Sequence, residues 1–160
     1  MQAPSNISFA PDGVGRRGSK IMKVKKTILC VDDHEQSLSI RKLMLETRGY
    51  RVIVCTTGEE ALEVFRRGGI DLVLTDLMMP GLDGNELVTR IKQVSPETPI
   101  ILFSGKVTIY DQNTQANVFL PKGMYAPVEL LERIRLLLIR KRGSKRVTRI
   151  TFPTNEREVG

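Results

Sequence analysis

The chain has 160 residues and a mass of 18.0 kDa, a length typical of one domain. Hydrophobic residues make up 41% and charged residues 27%, a balance that supports a packed core and argues against wholesale disorder. No apolar run approaches the ~20 residues of a membrane span, and two cysteines with one histidine give little support to a structural zinc site or a histidine-dependent nucleophilic enzyme.

The net charge of +7 is divided unevenly along the chain. Residues 1–26 carry +5, residues 27–138 carry −3 and residues 139–160 carry +5. Residues 1–25, rich in Pro and Gly, predict a flexible basic extension, residues 26–142 a single domain, and residues 143–160 a basic tail. Since no motif precedes Met22, we expect Met22 to be the natural start. Without a signal-peptide pattern, the two cysteines predict a reduced, cytoplasmic protein.

Strand and helix patterns alternate through the central body. Short apolar runs predict strands at residues 27–31, 51–55, 71–75, 100–103 and 118–120. Helices are predicted from the acidic pair at 32–33 to Gly49, and over residues 59–67, 86–93 and 127–142. Between Ser104 and Val118 no apolar stripe is present, so we expect a loop or a short distorted helix. This order predicts an α/β fold with a doubly wound parallel sheet.

The apolar periodicity also predicts which helix faces are buried. In the first helix the predicted face comprises Leu38, Ile40, Leu43, Met44 and Leu45. In the last helix it comprises Val128, Leu131, Ile134 and Leu138, extended by Leu130, Leu137 and Ile139. Cys30 and Cys55 fall on neighbouring predicted strands, and we expect buried thiols there.

Polar side chains collect where the predicted strands end. They are Asp32, Asp33, Asp76, Ser104 and Lys122. Taken singly, each is more typical of a helix cap, a turn or a solvated charge. Together, three carboxylates at one sheet edge repel one another unless a cation lies among them, and an all-oxygen ligand set favours Mg²⁺. An aspartate beside Mg²⁺ with a lysine and a hydroxyl opposite suits phosphoryl transfer.

Four motifs carry a resemblance to a known family. VDDHE (31–35), LTDLMMPGLDG (74–84), LFSG (102–105) and VFLPKG (118–123) resemble the receiver domain of two-component response regulators, the stand-alone chemotaxis-regulator type being most similar. The resemblance covers roughly residues 26–141. It implies a flavodoxin-like five-stranded sheet of order 2-1-3-4-5, and the weak segment before Val118 predicts that the fourth helix is shortened or missing.

The resemblance also implies a role for each motif residue. The phosphoacceptor is Asp76; the magnesium ligands are Asp32, Asp33, Asp76 and the backbone carbonyl of Met78; the phosphate-binding and switch residues are Ser104, Lys122 and Phe119; and the loop-shaping residues are Pro80 and Gly84. The implied reaction is transfer from a histidine kinase or phosphotransfer protein to Asp76, followed by slow hydrolysis. Such a protein catalyses only its own phosphorylation and dephosphorylation, and it switches a surface that a downstream partner binds.

The sequence departs from the family pattern in places. Ser104 and Lys122 are only 18 residues apart, fewer than is usual, and the shortfall lies in the weak segment. Gly123 replaces the usual proline, which predicts an unusual φ rather than a cis bond. Neither Met78 nor Lys106, which flank the phosphoryl site by resemblance, is a good base for positioning water. We therefore expect a long-lived phosphoryl group.

Two other functions compete with this one. The basic ends, residues 20–26 and 140–149, are suited to binding nucleic acid or another acidic partner, although interleaved aromatic residues are lacking. A metal-dependent phosphatase with an aspartate nucleophile resembles the site as well. That class needs a carboxylate as general acid two residues after the nucleophile, where this chain has Met78.

Overall fold

Five strands alternate with four helices in the part of the chain that the structure describes. The computed structural model describes residues 24–105 and 114–139. The strands are β1 (Thr27–Val31), β2 (Arg51–Cys55), β3 (Leu72–Asp76), β4 (Ile100–Ser104) and β5 (Val118–Pro121). The helices are α1 (Glu35–Glu46), α2 (Gly58–Arg66), α3 (Gly84–Val94) and α4 (Pro127–Ile139).

All five strands form one parallel sheet of order β2-β1-β3-β4-β5. The predicted doubly wound, flavodoxin-like sheet is therefore confirmed. Strands β1, β3 and β4 are buried along their whole length, which explains their continuous apolar sequences. The order places β1 and β3 side by side in the middle of the sheet, so the residues that follow them are neighbours in space.

Helices cover both faces of the sheet. On one face α2 and α3 bury Ala61, Leu62, Phe65, Leu87, Val88 and Ile91 against the strands. On the other face α1 and α4 bury Leu38, Leu45, Leu130 and Ile134. Cys30 and Cys55 are buried free thiols in these two different cores, as predicted. Burial raises the pKa of Cys30 to about 12 and that of Cys55 to about 11, so both are protonated near neutral pH.

The predicted buried faces of α1 and α4 were partly wrong. Ile40 and Leu43 on α1 are 63% and 67% exposed, and Arg41 is buried between Leu38 and Leu45 instead. On α4, Val128 and Ile139 are exposed, and Leu130 with Ile134 makes the inner face. In both helices apolar residues surround most of the circumference, so periodicity alone did not fix which arc meets the sheet.

The loop between β3 and α3 is held against neighbouring backbone. Gly84 lies so close to it that a β-carbon there would overlap the Asp76 carbonyl oxygen and approach the Leu77 Cα to 2.7 Å. Glu59, in the first turn of α2, accepts a hydrogen bond from the Leu82 backbone N–H at 3.0 Å. The predicted loop-shaping role of Gly84 thus has a steric basis, whereas Pro80 is exposed in the same loop.

Several predictions fall partly or wholly outside the described residues. They are the flexible extension before residue 24, the Met22 start, the basic tail after residue 139 and the segment 106–113 in which the fourth helix of the family would lie. Of the flanking residues, Gly105 and 114–117 are not helical. Gly123 has φ +72°, the unusual value predicted for it. Within the described ranges, the helices are all too short or too polar to cross a membrane.

The contacts of Gly84 generate a stability prediction. We expect Gly84→Ala to lower the free energy of unfolding by at least about 2 kcal/mol, because the added methyl group meets fixed backbone atoms rather than a flexible side chain. Urea denaturation followed by circular dichroism measures this. Gly105→Ala is the matched control: a β-carbon there meets no atom of the described residues within 4 Å, and a change within about 0.5 kcal/mol is expected. Equal stability of the two variants would contradict the steric explanation.

Candidate functional site

The polar residues predicted at the strand ends do converge at the carboxyl edge of the sheet. Asp32 directly follows β1, Asp76 is the last residue of β3, Ser104 is the last residue of β4, and Lys122 follows β5. Backbone hydrogen bonds hold these ends in register: the Lys122 N–H donates to the Ser104 carbonyl at 2.7 Å. The parallel strand order therefore brings together residues that are up to 90 positions apart in the sequence.

Lys122 links two of the carboxylates. Its Nζ donates a hydrogen bond to Asp76 Oδ2 at 2.7 Å and lies 3.5 Å from Asp32 Oδ2. Asp32 is fully buried and Asp76 is 3% exposed, while the Lys122 side chain keeps about a third of its surface accessible. The lysine thus lies at the opening of a buried acidic site.

Burial and mutual charge set the electrostatics of this pair. Burial raises the pKa of Asp76, aided by the charges of Asp32 and Asp33, and the hydrogen bond and charge of Lys122 oppose that rise. Burial alone would lower the pKa of Lys122, but the two carboxylates beside it outweigh burial and raise it. Lys122 is therefore cationic near neutral pH, and the carboxylates concentrate negative charge beside it.

The residues after β1 form a group of possible metal ligands. One ligand atom each from Asp32, Asp33 and His34 lies within 4.8 Å of the others. Asp32 Oδ1 accepts a hydrogen bond from the His34 backbone N–H at 3.0 Å, and the His34 ring Nδ1 is 3.1 Å from Asp33 Oδ1. Asp32 Oδ2 is buried without a hydrogen-bond partner among the described residues. An unsatisfied buried carboxylate oxygen next to an accessible carboxylate fits a hard divalent cation.

The remaining predicted site residues lie around this centre. Ser104 is buried at the end of β4, and β4 pairs it with Pro121, next to Lys122. Phe119 on β5 is partly buried and packs against the core beneath α2 and α3. Met78 follows Asp76 by two residues, with its side chain 72% exposed. The metal-binding role of the Met78 carbonyl and the switch roles of Ser104 and Phe119 stay predictions.

Sequence reasoning missed Arg41. This α1 residue is 8% exposed, and its Nη1 lies 3.9 Å from Asp32 Oδ2. Its guanidinium carbon is 4.4 Å from the centroid of the Phe103 ring. Arg41 lies three residues after Leu38 and four before Leu45, a spacing that places it on the same helix face, and this helical spacing was the one available signal.

Comparison with known proteins agrees with the fold. The family model of the response regulator receiver domain matches residues 28–135. The transcriptional regulatory protein YkoG of Bacillus subtilis, itself uncharacterized, is 37% identical over 133 residues, which are 81% of this chain and 58% of that protein. Most of this chain is similar to such curated relatives, but it spans only about half of their length.

Solved structures are similar as well. A CheY-like response regulator receiver domain protein from Methanospirillum hungatei JF-1 has a TM-score of 0.70 and 29% identity, covering 74% of this chain and 97% of that one. Response regulator TrrA from Thermotoga maritima, in complex with Mg(2+)-BeF, has a TM-score of 0.64 and 32% identity, covering 70% and 98%. The chain therefore belongs to the response regulator receiver domain family of two-component signalling.

Proposed function

We propose that Asp76 accepts a phosphoryl group from the phosphohistidine of a histidine kinase or phosphotransfer protein, and that the chain acts as a phosphorylation-controlled binding module. The observation that carries this proposal is the pairing of a buried carboxylate with an accessible lysine, Asp76 Oδ2 to Lys122 Nζ at 2.7 Å, beside Asp32. A carboxylate beside an accessible cation is placed to attack, and the fixed cation is placed to receive negative charge.

The transfer forms one bond and breaks one. A carboxylate oxygen of Asp76 attacks the phosphorus, the phosphorus–nitrogen bond of the phosphohistidine breaks, and the imidazole nitrogen keeps the electron pair. Lys122, already beside Asp76, compensates the charge on the phosphoryl oxygens. The product is an acyl phosphate on Asp76, which water later hydrolyses to restore the carboxylate.

Mg²⁺ is the proposed cofactor. Asp33, Asp76 and the Met78 backbone carbonyl would hold it directly, and Asp32 would hold it through water. The all-oxygen donor set and the unsatisfied Asp32 Oδ2 favour a hard cation over a soft one. When bound, the ion neutralises part of the charge on the phosphoryl oxygens.

The phosphorylated state would be passed on as a change of surface. Ser104 ends the strand beside β5, and Phe119 lies on β5 three residues before Lys122. A hydroxyl that moves toward the phosphoryl group would free space for the aromatic ring to turn inward. This readout needs no turnover of a separate substrate, so we propose a switch rather than an enzyme, acting in the cytoplasm.

The alternative of a receiver held on nucleic acid through basic tails concerns residues outside the described ranges, and no contact of the described residues favours it.

The phosphoacceptor assignment is tested by chemical phosphorylation. We expect acetyl phosphate with Mg²⁺ to add one phosphoryl group to the wild-type chain, detected by intact-mass spectrometry, and Asp76→Ala to prevent it. The control is Asp83→Asn, because Asp83 caps α3 through a hydrogen bond from the Glu86 N–H that asparagine can also accept. An adduct that persists in Asp76→Ala, or is missing from folded wild type, would contradict the assignment.

The lifetime of the adduct tests the role of the residues around it. The thioether of Met78 is a weak hydrogen-bond acceptor and cannot orient an attacking water well, so we expect the phosphoryl group to persist for at least minutes. Met78→Gln retains the backbone carbonyl proposed for the metal while adding an amide, and we expect it to shorten the lifetime severalfold. Loss of the adduct by mass within seconds in the wild type would show that another group positions the water.

A further inference from the structure

Arg41 lies on the buried face of α1, where the other buried residues are leucines. It is 8% exposed and lies between Leu38 and Leu45, the two apolar residues of α1 that are buried against the sheet. An arginine in such a place loses its hydration and therefore needs a partner of opposite charge. Its presence in the core has a cost that a leucine would not have.

The partners of the guanidinium are an aromatic ring and one carboxylate. The guanidinium carbon lies 4.4 Å from the centroid of the buried Phe103 ring, within the range of a cation–π contact. Its Nη1 lies 3.9 Å from Asp32 Oδ2. Both atoms are buried, and neither has a hydrogen bond within the described residues. On the core side of the site, the Asp32 carboxylate and the Arg41 guanidinium therefore compensate each other's charge.

The charges at the site show why this pair matters. Asp32, Asp33 and Asp76 contribute three negative charges, and Lys122 offers one positive charge that it shares between Asp76 at 2.7 Å and Asp32 at 3.5 Å. Lys122 is closer to Asp76, which leaves Asp32, the most deeply buried of the three, only partly compensated. Arg41 approaches the same Asp32 oxygen and supplies the second positive charge.

We propose that Arg41 is a resident counter-cation of the acidic site: a positioning residue that balances Asp32 from the core side and holds this carboxylate when no divalent cation is bound. Because it carries a full positive charge close to the proposed metal position, it also weakens the binding of that ion. The second part rests on the proposed function, in which Asp32 and its neighbours take Mg²⁺. The first part does not, because it concerns the protein without metal.

Two variants separate the charge of Arg41 from its volume. Arg41→Met removes the charge and retains a long side chain, whereas Arg41→Lys retains the charge. By isothermal titration calorimetry we expect Arg41→Met to bind Mg²⁺ on the order of tenfold more tightly than wild type, and Arg41→Lys to remain within about threefold. Arg48→Met, which removes an exposed charge just beyond the end of α1, is the control for long-range effects and should leave the affinity unchanged.

The pairing with Asp32 is tested without metal. In EDTA, a double-mutant cycle of Arg41→Met and Asp32→Asn should show a coupling of about tenfold in the unfolding equilibrium constant, since each single change removes an opposite charge from beside the buried charge that remains. Should Arg41→Met fail to fold, the side-chain Nε–H resonance of Arg41 in the wild type replaces it, and this resonance should shift in Asp32→Asn.

The outcomes separate this inference from the proposed function. Additive effects in the cycle, an unshifted Arg41 resonance, or wild-type Mg²⁺ affinity in folded Arg41→Met would overturn the counter-cation role. Coupling in the cycle together with no phosphorylation of Asp76 would support the inference and overturn the phosphoacceptor. No Mg²⁺ binding by the wild type would overturn the metal site and the affinity effect, and the cycle in EDTA would still decide the pairing.

Discussion

The parallel sheet forces three carboxylates into one corner of the molecule, and their mutual repulsion governs what surrounds them. The order β2-β1-β3-β4-β5 makes the ends of β1 and β3 neighbours, so the charges of Asp32 and Asp33 act on Asp76 and help to raise its pKa. In a site where Asp32 is fully buried, such a group is stable only with positive charge close by. Lys122 follows β5 and Arg41 lies on α1. The order of the strands and the packing of α1 therefore each bring one positive charge to the carboxylates.

The two cations differ in what they can do. Lys122 is partly accessible and touches Asp76 directly, so it can follow a group that is added to that carboxylate. Arg41 is enclosed between Phe103 and Asp32, and its planar guanidinium fits the face of the ring. We interpret Lys122 as a participant in the proposed phosphoryl transfer and Arg41 as a residue that holds Asp32 in place. The acidic site is thus accessible at Lys122 and enclosed at Arg41.

The sequence predicted the sheet and the convergence of polar residues at its edge because both depend on patterns that are local. Buried parallel strands appear as short apolar runs, and polar residues directly after such runs are expected at the carboxyl edge of the sheet. The buried arc of a helix is harder to predict: α1 has apolar residues nearly all round, and Ile40 and Leu43 proved to be exposed while Arg41 is buried. The partner that makes a buried arginine possible, Asp32, is recognised only once the fold has brought the two together. The predicted ends of β3, β4 and β5 fell one residue short, so Asp76 and Ser104 are the last residues of β3 and β4 rather than the residues that follow them.

We propose above all that the carboxylate of Asp76 accepts the phosphoryl group, with Lys122 beside it. A crystal structure of the full chain grown with Mg²⁺ and beryllium fluoride, a mimic of a phosphoryl group, measures this most directly. Our account predicts beryllium bonded to a carboxylate oxygen of Asp76, a fluorine within hydrogen-bond distance of Lys122 Nζ, and the metal ion between Asp33 and Asp76. Beryllium fluoride bound at another residue, or an unmodified Asp76 at saturating concentration of the mimic, would contradict it.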